Sequence, residues 1–192
     1  MRHSEVSRET AETAVKLSLE LDGSGRAEVH TGVGFLDHML TLFACHGGFD
    51  LVVRCKGDLE VDAHHRVADV GLCLRAAIAQ ALGKKRGINR YGHIILPMDE
   101  ALILCAVDLS GRPCLRYTAQ LPAQKVGDFD TELAQEFFQA LANTALMSLH
   151  IRQLDGVSTH HIIEGMFKAL GRALREAVAV TGGALPSTKG VL

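Results

Sequence analysis

The sequence predicts an α/β fold made of two related halves, and two observations carry that reading. His-His occurs twice, as His64-His65 and His160-His161, 96 positions apart, and each pair opens a helix-like run. A second helical stripe precedes each pair: Leu36-Asp37-His38-Met39-Leu40 aligns with Ala134-Gln135-Glu136-Phe137-Phe138 at an offset of 98. A near-constant offset over two helices is the mark of an internal duplication.

In the first half, residues 15–30 alternate apolar and polar around Asp22-Gly23-Ser24-Gly25, which predicts a hairpin. Phe35, Leu36, Met39, Leu40, Leu42 and Phe43 have helical spacing, and His46-Gly47-Gly48 stops that helix. Strands at 51–53 and 59–61 flank Gly57-Asp58. Residues 64–82 carry a helical period that ends at Gly83. In the second half, strands at 94–96 and 102–107 flank Pro97-Met98-Asp99-Glu100, and 114–119 is a further strand. A helix is expected over 131–147, with Leu133, Phe137, Phe138, Leu141 and Leu146 in its stripe. Leu149-His150-Ile151 is strand-like, and 160–180 is the last helix, ended by Thr181-Gly182-Gly183.

The 192 residues are 47% hydrophobic, enough to bury a core, and the net charge of −2 points to neither nucleic acid nor a membrane surface. No run is long and apolar enough to span a bilayer, and Met1-Arg2-His3-Ser4-Glu5 lacks the apolar stretch of a signal peptide. The five cysteines are odd in number and none has CxxC spacing. A reduced, cytoplasmic protein without a disulfide framework is expected.

Ten histidines are more than packing calls for, because each buried imidazole needs a partner. Residues four apart on a helix share a face, so His160 and Glu164 can converge on one ion. His161 projects about 100° away and suits another ion. His38 and Glu136 occupy equivalent places ahead of the two His pairs. The expected grouping is His160, Glu164, His65 and His38 at one site, and His64, His161 and Glu136 at the other. Imidazole with carboxylate suits manganese, iron, zinc or cobalt. His3, His30 and His93 read as ordinary surface or core residues, His46 as a helix-end residue, and His150 stays open.

Arg112, in Ser110-Gly111-Arg112-Pro113, and Arg90, in Ile88-Asn89-Arg90-Tyr91-Gly92, sit at exposed turns. The tail Pro186-Ser187-Thr188-Lys189-Gly190 adds a hydroxyl and an ammonium. Guanidinium, hydroxyl and ammonium together suit a phosphate monoester.

Phe35-Leu36-Asp37-His38-Met39-Leu40, the two His pairs, Pro97-Met98-Asp99-Glu100-Ala101-Leu102, Asp108-Leu109-Ser110-Gly111-Arg112-Pro113 and the tail motif together resemble the imidazoleglycerol-phosphate dehydratase family of histidine biosynthesis, from Arg8 to Leu192. The resemblance implies an α/β (α+β) duplicated unit, with helices packed between two four-stranded, mostly antiparallel sheets. It places the repeats at about 8–91 and 92–185 of a single domain, with a substrate-binding tail at 186–192. It implies a lyase that dehydrates D-erythro-imidazole glycerol phosphate to imidazole acetol phosphate. Two manganese ions per subunit would favour the imidazolate, which expels hydroxide to give a diazafulvene. The family's 24-subunit shell has its metal sites at subunit contacts. By position, Glu12 matches the acid/base carboxylate, and Arg90, Arg112, Ser187 and Lys189 match phosphate contacts. Lys168 matches a further substrate contact.

The chain departs from the family's His-His-x-x-Glu-Asp pattern at Ala68, which has no metal-binding atom. Glu136 could supply the missing carboxylate, with Asp69 as an alternative donor, and Arg66 adds a nearby positive charge. Two unequal sites are expected, the one beside Ala68 being weaker. A metal-dependent phosphate-ester hydrolase and a metal-binding shell without catalysis are the rival readings.

Overall fold

The computed structural model describes residues 2–57, 63–143 and 147–189. Alternating burial builds its sheets. In β1 (His3–Glu9) only Ser4 is fully buried, whereas β2 (Thr13–Glu20) turns Val15, Leu17 and Leu19 inward and Lys16 outward. With β3 (Ala27–His30) and β4 (Asp50–Gly57) they form a four-stranded sheet in the order β1-β2-β4-β3. β1, β2 and β4 are antiparallel neighbours, and β3 runs parallel to β4.

The second half repeats this pattern. β5 (Tyr91–Met98), β6 (Ala101–Asp108), β7 (Cys114–Thr118) and β10 (Ser148–Asp155) form a sheet in the order β5-β6-β10-β7, with only the β10–β7 pair parallel. The short strands β8 (Lys125–Val126) and β9 (Phe129–Asp130) pair with each other. The two-sheet α/β architecture is the expected one.

Four helices lie between the sheets: α1 (Gly34–Gly47), α2 (His64–Leu82), α3 (Glu132–Ala142) and α4 (Thr159–Val178). α2 covers β1 and β2, and α4 covers β5 and β6. The halves meet through two helix pairs, α1 on α4 and α2 on α3, and share one core. Each contact uses a glycine. A Cβ on Gly171 of α4 would stand 2.5 Å from the Phe43 carbonyl oxygen of α1, and one on Gly71 of α2 would stand 3.0 Å from that of Phe137 in α3. Backbone cannot yield as a side chain tip can. Gly171→Ala is therefore expected to destabilise the protein by about 1–3 kcal/mol, read as a lower urea midpoint. An unchanged midpoint would show that the helices can part at no cost.

Two expectations need correction. Residues 15–30 are not a hairpin, because β4 lies between β2 and β3. Their Gly-rich turn docks on the start of β4 instead, where the Asp50 carboxylate accepts the Ser24 and Arg26 amides at 2.8 and 3.0 Å. The true partner of β2 is β1, an edge strand whose polar sequence carries little apolar alternation. The helix expected over 131–147 ends at Ala142, with Asn143 already extended. The strand expected at 59–61, Leu146 and the tail end 190–192 lie outside the described residues.

Candidate active site

α1 and α4 bring three donors together. His38 Nε2 lies 3.6 Å from Glu164 Oε2, and His160 Nε2 lies 3.1 Å from the same oxygen. The ligand atoms of the three residues fall within 4.8 Å of one another. Ser158 caps α4 by accepting the His161 amide, which sets His160 and Glu164 one turn apart on one face. Phe35 packs edge-on against the His160 ring at 5.2 Å. The other Glu164 oxygen takes the Lys168 ammonium at 2.7 Å, and Lys168 also reaches the Met98 sulfur at 3.2 Å. Burial pushes the Glu164 carboxyl up, but Lys168 and the His160 hydrogen bond outweigh it, and the net shift is downward. A buried, ionised carboxylate beside two imidazoles is a donor set that fits a divalent transition ion. Among the described residues no other three His, Cys, Asp or Glu side chains converge in this way.

The second residue of each His pair meets a carboxylate from a turn. His161 Nδ1 lies 2.7 Å from Glu100 Oε2, in the β5–β6 turn, and His161 Nε2 lies 3.8 Å from Asp99. The His161 hydrogen bond, helped by the Ser158 amide, holds the Glu100 carboxyl down at about 2, and the same bond raises His161. His65 Nδ1 lies 3.3 Å from Glu12 Oε2, in the β1–β2 turn. The Thr10 hydroxyl accepts the Glu12 and Thr13 amides at 3.2 and 3.0 Å and fixes that turn.

Within one chain, His38, His160 and Glu164 therefore meet, whereas His65 is held apart beside Glu12. His64 faces its neighbour His65 with ring centroids 6.1 Å apart, and Glu136 is exposed on α3. Asp69 is no stand-in for the donor absent at Ala68. It is buried, with one oxygen taking Arg8 Nε at 2.8 Å and the other taking the Thr13 hydroxyl. The Arg66 guanidinium is spent on backbone carbonyls, Thr31 at 2.6 Å and Gly57.

Arg90 is not the exposed turn residue expected. It is only 14% exposed and pairs through Nε with Asp108 at 2.7 Å. Its Nη1 donates to the Pro186 carbonyl at 2.9 Å, which ties it to the tail carrying Ser187 and Lys189. The Lys189 amide donates to the Ser187 hydroxyl at 3.2 Å, and Arg112 is exposed at its turn. Glu100 stands within one of the motifs that carry the resemblance, but nothing in the local sequence pattern marks it apart from other turn carboxylates.

A repeated α/β unit whose halves jointly present a His–Glu donor set is the class that fold and site define. A profile of the imidazoleglycerol-phosphate dehydratase family matches residues 31–174. The imidazoleglycerol-phosphate dehydratases of Heliobacterium modesticaldum and Desulforamulus reducens are 55% and 57% identical to this chain over its whole length, covering 100% and 98% of their own. The crystal structure of imidazoleglycerol-phosphate dehydratase from Staphylococcus aureus superposes with a TM-score of 0.85 at 40% identity, covering 93% of this chain and 99% of that one. The Pyrococcus furiosus structure gives 0.84 at 36% identity, covering 97% and 100%. The chain belongs to the imidazoleglycerol-phosphate dehydratase family and is a dehydratase of histidine biosynthesis.

Proposed function

We propose that this chain converts D-erythro-imidazole glycerol phosphate to imidazole acetol phosphate, using manganese held by its His and Glu side chains. The convergence of His38, His160 and Glu164 carries the reading. Those three, with His65, would hold one ion, and His64, His161 and Glu136 the other. The separation of these residues within one chain supports sites completed between copies, in a homo-oligomer for which we propose 24 subunits. Manganese, when bound, supplies Lewis-acid polarisation of the substrate's ring nitrogens.

The chain's own groups do the rest. The ring-bonded carbon loses its hydroxyl as water, while Glu12, whose side chain is 58% exposed, takes the proton from the next carbon along and returns one to the ring-bonded carbon on tautomerisation. Arg112, Ser187 and Lys189 grip the phosphate, and Arg90, whose Nε and Nη2 hold Asp108 while Nη1 holds the Pro186 carbonyl, sets the tail in place beside it. Lys168, with its ammonium beside Glu164, orients the substrate hydroxyls. We place the reaction in the cytoplasm, and read residues 8–91 and 92–185 as the repeats and 186–192 as the substrate-binding tail.

The test is a dehydratase assay on chelator-stripped protein reloaded with manganese, with metal content measured on the same sample. Activity is expected to vanish on stripping and return on reloading, with two unequal ions per chain. Two equally tight ions would show that Ala68 does not weaken its site. Release of free phosphate in place of the ketone would make the enzyme a hydrolase.

A further inference from the structure

The repeat relates two carboxylate–histidine pairs. Glu12 is the residue immediately before β2, and Glu100 the residue immediately before β6, the equivalent strand of the other half. Each meets the Nδ1 atom of the second histidine of its own half's pair, His65 or His161. The two pairs are nonetheless built differently. Glu12 stands 3.3 Å from its ring, with side-chain exposures of 58% and 45%. Glu100 stands 2.7 Å from its ring, with exposures of 36% and 33%. Its other oxygen accepts the Ser158 amide at 2.8 Å and the Val157 amide at 3.3 Å, at the start of α4.

A carboxylate so held cannot swing to carry protons, but it can hold a ring. An imidazole binds a metal through the lone pair of one nitrogen, and the other nitrogen must then carry the hydrogen. A carboxylate acceptor 2.7 Å from Nδ1 puts that hydrogen on Nδ1 and leaves Nε2, 3.8 Å from the Asp99 carboxylate, with its lone pair free. We propose that duplication has divided the labour: Glu100 is a positioning residue that fixes His161 for metal binding through Nε2, while its counterpart Glu12 stays free to move protons. The proposal rests on the metal reading above.

Manganese titration of stripped, full-length protein by calorimetry tests it. Glu100→Gln keeps an oxygen for the Ser158 amide but turns an amide donor toward Nδ1, which favours the wrong tautomer. The weaker ion should then bind about 10–100-fold less tightly while the tighter ion is unchanged, with the circular dichroism of the parent. Glu12→Gln should leave both phases of the titration unchanged. A Glu100→Gln titration identical to the parent's would overturn the proposal, as would an equal loss of affinity in Glu12→Gln. His161→Ala separates the two levels of the argument. Loss of the weaker ion there supports the metal reading, and retention of both ions removes that reading itself.

Discussion

Glu12→Gln is expected to stop turnover and leave substrate binding intact. The side chain keeps its size and its hydrogen-bonding oxygen, but an amide neither takes nor gives a proton at neutral pH. Loss of a general acid–base group costs about 10²–10⁴-fold in kcat. The turn that carries Glu12 should not change, because its order comes from other residues. Thr10 caps the backbone, and the Thr13 hydroxyl is anchored on the buried Asp69 of α2. Steady-state kinetics would therefore show the fall in kcat, and calorimetry with substrate an unchanged Kd. Near-normal turnover would remove Glu12 from the chemistry.

Glu164→Gln is expected to lose the tighter of the two proposed ions. This carboxylate is 9% exposed, and it is the anionic member of the His38–His160–Glu164 group. The substitution removes the charge that attracts the cation and leaves the Lys168 ammonium uncompensated 2.7 Å from the former carboxylate. Both changes act against a divalent ion. The loss should exceed the roughly 10–100-fold that follows removal of an outer partner of a metal ligand. Metal analysis after gel filtration would find about one ion fewer per chain. A variant that keeps its full metal content would place the tighter ion elsewhere.

Much of the fold is legible in the sequence where burial is one-sided. β6, with Ala101, Ile103, Cys105 and Val107 inward, and α4, with an apolar face from Ile162 to Val178, both follow their period. β1 is not legible, because an edge strand that buries Ser4 and exposes Glu5, Arg8 and Glu9 has no apolar code. Nor is the insertion of β4 between β2 and β3, since strand order depends on contacts far apart in the chain. At the site, the i,i+4 spacing of His160 and Glu164 gives their meeting directly. The arrival of His38 depends on how α1 crosses α4, and the grip of Glu100 on how one turn lands on a helix start. No local pattern encodes either one. Arg90 misled for the same reason: its partners Asp108 and Pro186 lie 18 and 96 residues away.

The α1–α4 crossing has a thermodynamic consequence. His38 belongs to one half of the chain, and His160 and Glu164 to the other, so their three ligand atoms meet only while the halves are docked. An ion bound there would act as a rivet through the seam. It binds the native state and finds no such set in the unfolded chain, so occupancy would add directly to folding stability, by about 2.7 kcal/mol when free metal stands at a hundred times its Kd. The centre proposed to serve the reaction would then also clasp the two repeats, and cellular metal supply would set how firmly the chain stays closed.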